Sequence, residues 1–140
     1  YAWTKQELTR FTPGLLTRAN VADLEDGIPS DRINFRANHN VTDWRFTLQA
    51  NYYGEYLSVP SSADPSRDYD VGAKTIFGAE VAYMYGDRYT FILGADNLFN
   101  TTPEQVRPVD FSGTTSNKYI TSGAFSPNGR FVYSRVQVNF

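Results

Sequence analysis

Few residues in this 140-residue chain have side chains suited to catalysis. His39 is the sole histidine, and cysteine is absent. A Ser-His-Asp triad would have to be built around that one imidazole, in a segment that reads as a short turn. Without cysteine, disulfides and thiolate metal sites are excluded, although the compartment is not thereby fixed. Asp64, Asp68 and Asp70 offer oxygens of the kind Ca²⁺ takes, but they lack the ligand spacing and glycine of an EF-hand loop. A solvated acidic loop is the expectation there. Gly72-Ala73-Lys74-Thr75 is not a phosphate loop, because Gly and Lys are not adjacent and no helix follows. Asn40-Val41-Thr42 and Asn100-Thr101-Thr102 match the glycosylation acceptor, a pattern short enough to recur by chance. No catalytic residue, metal or cofactor is therefore expected, and function falls to binding or transport.

Composition narrows this further. Net charge is −2 with both signs interspersed, so there is no basic footprint for nucleic acid. Hydrophobic residues make up 41% and aromatics 16%, with ten Tyr and ten Phe, which suits the pleated surface of β-sheets. No apolar run approaches the roughly 20 residues of a membrane helix, and no signal peptide opens the chain. Tyr1-Ala2-Trp3-Thr4 already reads as strand, so the natural chain is expected to begin upstream.

The elements that carry the side chains have a two-residue period, which places alternate residues on opposite faces of a strand. The first such segment is Tyr1 to about Leu8. The second, Arg32 to Asn38, sets Ile33, Phe35 and Ala37 against Arg32, Asn34, Arg36 and Asn38. In the third, Trp44 to Leu57, one face carries Trp44, Phe46, Leu48, Ala50, Tyr52 and Tyr56, and the other Arg45, Thr47, Gln49, Asn51, Tyr53 and Glu55. The fourth, Ala73 to Tyr85, sets Phe77, Ala79, Val81, Tyr83 and Tyr85 against Lys74, Ile76, Gly78, Glu80, Ala82 and Met84. The fifth is Tyr89 to Asn97. The last runs from Gly129 to Phe140, with Val132, Val136, Val138 and Phe140 on one face and Tyr133, Arg135, Gln137 and Asn139 on the other. No long segment shows helical spacing, so the fold class is all-β.

Connections alternate in length. His39–Asp43 and Gly86–Arg88 are short, whereas Thr9–Ser30, Ser58–Gly72 and Leu98–Asn128 are long. Soluble domains seldom hold structureless stretches beyond about 15 residues. Short turns at one end and long loops at the other are the up-and-down pattern of outer-membrane barrels, as is an apolar strand that stops on an aromatic. Trp44 to Tyr56 spans ~40 Å, or ~30 Å along the normal at a tilt of about 40°, near the ~25 Å apolar band. Trp44, Tyr83, Tyr85, Tyr89 and Phe140 fall beside the short turns and Tyr52, Tyr56 and Phe77 toward the long loops, as two headgroup girdles require. Arg32, Arg36, Arg45, Gln49, Glu55, Lys74, Glu80, Asp96 and Arg135 all oppose the apolar faces. In a sandwich they would be solvating decoration; in a barrel they face the lumen, lining water or bonding a plug. Loop alternation and the terminal aromatic decide for the lumen.

Asp96-Asn97-Leu98-Phe99-Asn100, preceded by Gly94-Ala95, resembles the G-x-D-N-L-F-[ND] signature of the penultimate strand in TonB-dependent outer-membrane receptors. Further features sit where that family has them: Ile28-Pro29 before Arg32-Ile33-Asn34-Phe35, Asn51-Tyr52-Tyr53-Gly54, Ala73-Lys74-Thr75, and Asn128-Gly129-Arg130-Phe131-Val132-Tyr133 running to Phe140. The likeness spans about residues 28–140. It implies an antiparallel up-and-down transmembrane barrel of about 22 strands, of which this chain supplies about the last six, without the N-terminal plug. Six strands fall short of the eight of the smallest barrels, so the rest would come from the same or another chain.

The resemblance further implies active import of an iron–siderophore complex or similar large nutrient, energised by TonB through the absent plug, in the outer membrane of a Gram-negative bacterium. Expected partners are the lipid bilayer, the remaining strands and plug, the nutrient, and the barrel-assembly machinery, which would read Val136, Val138 and Phe140. With Phe140 at the periplasmic end, the long loops lie outside the cell. Tyr69, Phe111, Tyr119 and Phe125 are candidates there to grip a ligand, or equally to staple the loops to themselves. The competing readings are a soluble or surface β-sandwich binding carbohydrate or protein through long loops, and a passive porin.

Overall fold

Period-two alternation over eight to twelve residues is long enough to build a sheet, and the computed structural model holds one. It describes every residue except 11, 13, 109–117 and 121–125. In chain order the elements are β1 (Ala2–Trp3), α1 (Arg18–Glu25), β2 (Asp31–Val41), β3 (Trp44–Tyr53), β4 (Tyr56–Ser58), β5 (Tyr69–Val71), β6 (Lys74–Tyr85), β7 (Tyr89–Asp96) and β8 (Phe131–Val138). Six strands form one sheet in the order β1-β2-β3-β6-β7-β8, and β4 and β5 form a separate pair. β1–β2, β6–β7, β7–β8 and β4–β5 are antiparallel. The chain is all-β with little helix, and β1 and β8 are the sheet's edges.

By its internal contacts the chain divides into two compact units. One comprises Ile33–Tyr52, Thr75–Thr101 and Asn128–Phe140. Its short turns meet at one end: Met84 donates its N–H to the Asp43 carbonyl at 2.8 Å and Asn139 to that of Arg88 at 2.9 Å. The β2–β3 turn shrinks from the expected His39–Asp43 to two residues, because His39, Asn40 and Val41 continue β2. Thr42 takes φ 51° there, an unusual value for a β-branched residue.

The other unit comprises Tyr1–Arg32, Tyr53–Lys74 and Thr102–Pro127, and it corrects several expectations. The first strand is only Ala2–Trp3, paired with Asp31 and Arg32, rather than Tyr1 to Leu8. Lys5, Gln6 and Glu7 give no apolar face to hold it, and the Leu8 N–H goes instead to the Glu25 carboxylate at 2.8 Å. The third strand stops at Tyr53, because the Gly54 N–H turns back to the Asp31 carbonyl at 2.8 Å. Nine steps from Trp44 to Tyr53 make about 30 Å of strand.

The long connections are also not structureless. Thr9–Ser30 contains α1, started by a capping box: Thr17 Oγ1 accepts from the Asn20 N–H at 3.3 Å, and Asn20 Oδ1 accepts from the Thr17 N–H at 3.1 Å. Such a box satisfies N–H groups that the first turn cannot. Ser58–Gly72 contains the β5 strand, in register Tyr56↔Val71 and Ser58↔Tyr69 with β4. Within Leu98–Asn128, Val106 bonds Lys118 and Ile120 bonds Glu104, each at 3.0 Å. Tyr56, Val71 and Ile120 then form a small buried core, with Tyr53, Tyr69 and Val106 packed against it.

Candidate functional site

The sheet unit has two faces of opposite chemistry. β6 and β7 pair as Val81↔Leu93, Tyr83↔Phe91 and Tyr85↔Tyr89, and β7 and β8 as Phe91↔Val136 and Ala95↔Val132. Residues directly opposite in a ladder point to the same face, so these apolar side chains form one surface. Trp44 joins it, its ring 4.7 Å from that of Tyr83. Leu48 is 58% exposed and Leu93 55%. The opposite face carries the residues in register Glu80↔Gly94, Ala82↔Ile92, Ile92↔Arg135 and Gly94↔Tyr133. There Ala82 is 2% exposed and Thr47 4%. The apolar face is open at Leu48, Phe91, Leu93 and Val136, whereas Thr47, Ala82, Ile92 and Gly94, all buried, lie on the other face, whose Arg36, Arg45, Asp96 and Arg135 are exposed.

This second face is held by polar contacts. Tyr133 donates its hydroxyl to Glu80 Oε2 at 3.0 Å, and Arg135 lies 3.8 Å from the same oxygen. Reaching Glu80 takes the Tyr133 ring across Gly94, where any Cβ would overlap it. That explains a glycine in mid-strand, where glycine otherwise weakens a sheet. Thr47 Oγ1 donates to Asn38 Oδ1 at 2.9 Å. Tyr133 and Arg135 meeting one Glu80 oxygen build a polar seam, and nothing about them resembles a nucleophile with its base.

The Asp96–Asn100 segment is a corner that ends β7. Asn97 and Asn100 take φ 50° and 57°, a region Asn tolerates better than most residues. Asn97 clasps Thr101 from both sides, donating Nδ2 to its carbonyl and accepting its N–H, each at 2.7 Å. The Arg130 N–H donates to Asn100 Oδ1 at 3.0 Å, which ties the two stems of the Leu98–Asn128 loop together. Phe99 meets Phe77 edge to face at 5.4 Å, an aromatic pair at the long-loop end.

The predicted site residues divide among these places. Gln49, Glu80 and Asp96 border Gly78 and Gly94 on the polar face, with Arg135. Arg36 is in β2 and Arg45 in β3, both exposed. Arg32 and Lys74 are in the loop-bearing unit: Arg32 stacks on Tyr53 at 5.7 Å and Lys74 pairs with Glu104 at 2.7 Å. Glu55 lies in the link after β3, so alternation along that strand does not reach it. Likewise Tyr56, expected in a girdle, is buried in the loop core. Tyr69 packs on that core, under Arg107 at 4.5 Å, with its hydroxyl accepting the Arg107 N–H at 3.0 Å. Tyr119 bridges Gln105. Both are engaged within their own unit. Phe111 and Phe125 lie outside the described residues. Val136 and Val138 are on the open apolar face, and Phe140 is fully exposed beyond β8.

Of the acidic loop, Asp68 receives a forked pair from Arg18 at 2.6 and 2.8 Å, while Arg18 also donates to the Ser61 carbonyl at 2.6 Å. The Arg18 hydrogen bonds hold the Asp68 carboxyl below its ordinary value of 3.8. Asp64 caps the Pro65–Arg67 turn. Among the described residues no cluster has the makeup of a metal site. Alternation overlooked Phe99 and Glu104, and it assigned no face to Arg130, although Arg130 lies inside the Gly129–Phe140 segment. Comparison with protein-family models, with curated proteins and with solved structures finds no match.

Proposed function

We propose that this chain is a transmembrane segment of an outer-membrane β-barrel, the C-terminal part of a TonB-dependent receptor that imports an iron–siderophore complex or a comparably large nutrient. The observation that carries the reading is the open apolar face of the sheet, with Leu48, Phe91, Leu93 and Val136 exposed and no layer over them among the described residues. Water disfavours that arrangement and a bilayer favours it, since lipid replaces the missing apolar layer. The short turns gathered at one end, the ~23 Å that β3 would span at a barrel tilt of about 40° and the Asp96–Asn100 corner support it. Two sheet edges, β1 and β8, suit a wall that other strands continue, because unpaired edges invite pairing. A soluble sandwich would need a second apolar layer over the open face, and among the described residues Leu48 and Leu93 have none. In this reading the polar seam faces the lumen and the folded loops meet the nutrient; binding and conformational change do the work.

The test has two stages. On intact cells a membrane-impermeant thiol reagent should label Ser62→Cys and spare Asp87→Cys; the reverse pattern would invert the topology. Removal of the protein should then abolish growth on one ferric chelate at limiting iron, and loss of TonB should do the same. Correct labelling with growth untouched would leave a barrel and refute the receptor.

A further inference from the structure

The open apolar face is not flat. Ala79 and Ala95 sit directly opposite each other across β6 and β7, and two methyl groups cannot fill the space that flanking side chains leave. Phe46, Leu48, Leu93 and Val132 wall this gap into a depression of about 410 Å³, a volume in the range of lipid- or drug-sized ligand sites. At its long-loop end stands Arg130. Counting back from β8, Arg130 continues the parity of Val132, Val136 and Val138, so it belongs to the apolar side. Its backbone is pinned by Asn100, next to Gly129 at φ 72°, where a side chain would strike the Asn100 amide. Among the described residues its guanidinium has no acidic partner, whereas Arg18, Lys74 and Arg135 each have one.

An apolar trough with an arginine at one end, its backbone pinned and its guanidinium without an acidic partner among the described residues, has the two halves of a lipid's chemistry. We infer that it is a binding site for a phosphate-bearing lipid, with an acyl chain lying over Ala79 and Ala95 and the phosphate on Arg130. The inference rests on the transmembrane reading. Arginine at the end of a spanning strand sits at headgroup level, where its stem stays in the apolar zone and its charge reaches out. Its planar fork matches phosphate oxygens in pairs. From Arg130 to Ser134, opposite Leu93, is four steps, ~13 Å, enough for the upper half of an acyl chain. The loops and lumen take no part, so the site is separate from nutrient capture.

The test uses the membrane-extracted protein in its native assembly, exchanged into phosphatidylcholine nanodiscs doped with phosphatidylglycerol, with retained lipid counted by native mass spectrometry. Wild type should hold phosphatidylglycerol at least tenfold better than Arg130→Ala, and Arg130→Lys should keep most of that preference. Ala95→Leu, which fills the trough with a side chain that lipid tolerates, should reduce retention of phosphatidylglycerol with Arg130 intact. Equal retention by wild type and Arg130→Ala overturns the site while leaving the barrel standing. Displacement of the lipid by inorganic phosphate alone also overturns it, because the trough would then contribute nothing. A protein that partitions into water without detergent refutes the transmembrane reading itself, and this inference with it.

Discussion

The two units of the chain obey opposite rules of burial. In the loop-bearing unit Val71 is fully buried and the aromatic rings of Tyr56, Tyr53 and Tyr69 gather around it, as in any small water-soluble core. In the sheet unit Leu48, Phe91, Leu93 and Val136 stand open, and the face that holds the buried Thr47, Ala82, Ile92 and Gly94 also carries the Glu80–Tyr133–Arg135 contacts. In the transmembrane reading proposed above, the rule that apolar groups leave water holds in both units, and what differs is the solvent that each meets.

The largest break in this comparison should come from charge on the open face. Leu48→Arg places a guanidinium on the open face in mid-β3 and should cost ~2–4 kcal/mol of membrane-inserted stability; Gln49→Arg, one residue on, should cost about 1 kcal/mol or less. Urea unfolding of the protein in bilayers, with outer-membrane levels as a second readout, measures both. Equal tolerance would mean the faces do not see different solvents. In the loop-bearing unit the expected lesion is of the ordinary kind. Val71→Ala leaves a cavity worth about 2 kcal/mol, which should appear as faster proteolysis between Ser58 and Gly72 while the sheet's urea midpoint stays put. A shift of that midpoint by the full amount would show the two units to be one cooperative block.

Much of the sheet was legible because β2, β3, β6, β7 and β8 alternate apolar and polar over most of their length, and a one-residue slip would reverse every side chain. The loop-bearing unit was not. Its core joins Tyr56, Val71 and Ile120, contacts far apart in sequence that no local period announces. Gly54, Glu55 and Tyr56 read as a continuation of β3 because alternation runs straight through Gly54, and only the hydrogen bond from Gly54 to Asp31 reveals the departure. The helix α1 has no buried residue, so it lacks the apolar stripe that would mark it; its one sign was Thr17 three residues ahead of Asn20. Of the candidate site, the residues of the polar face were readable from parity alone. Arg130 lies inside the Gly129–Phe140 segment and shares the parity of Val132, yet its charge sets it apart from the apolar residues of that face.

A smaller effect sharpens the sheet side. Thr42 holds φ 51° in the two-residue β2–β3 turn, a conformation that strains a β-branched residue and that Asn or Gly accepts. Thr42→Asn or Thr42→Gly should stabilise the sheet by about 1 kcal/mol, read again as a urea midpoint. No gain, or a loss, would mean the turn relaxes to another geometry.

The smallest expected effect belongs to the loop-bearing unit and depends on pH. Arg18 and Asp68 are joined at 2.6 Å and partly exposed, so solvent screens the pair and its contribution is modest. Its sign is definite. Arg18 holds the carboxyl below its ordinary value of 3.8, so the folded loop favours the ionised form. The contact is then fully present above the unfolded value and fades as pH falls through the lowered folded one. Hydrogen-exchange protection of α1 and the Pro65–Arg67 turn should therefore be level from neutral pH down to about 4 and drop below that, after correction for intrinsic exchange. Asp68→Asn, which cannot ionise, should lower protection throughout and remove the acid step. A step that survives in Asp68→Asn would assign the acid sensitivity to another carboxylate.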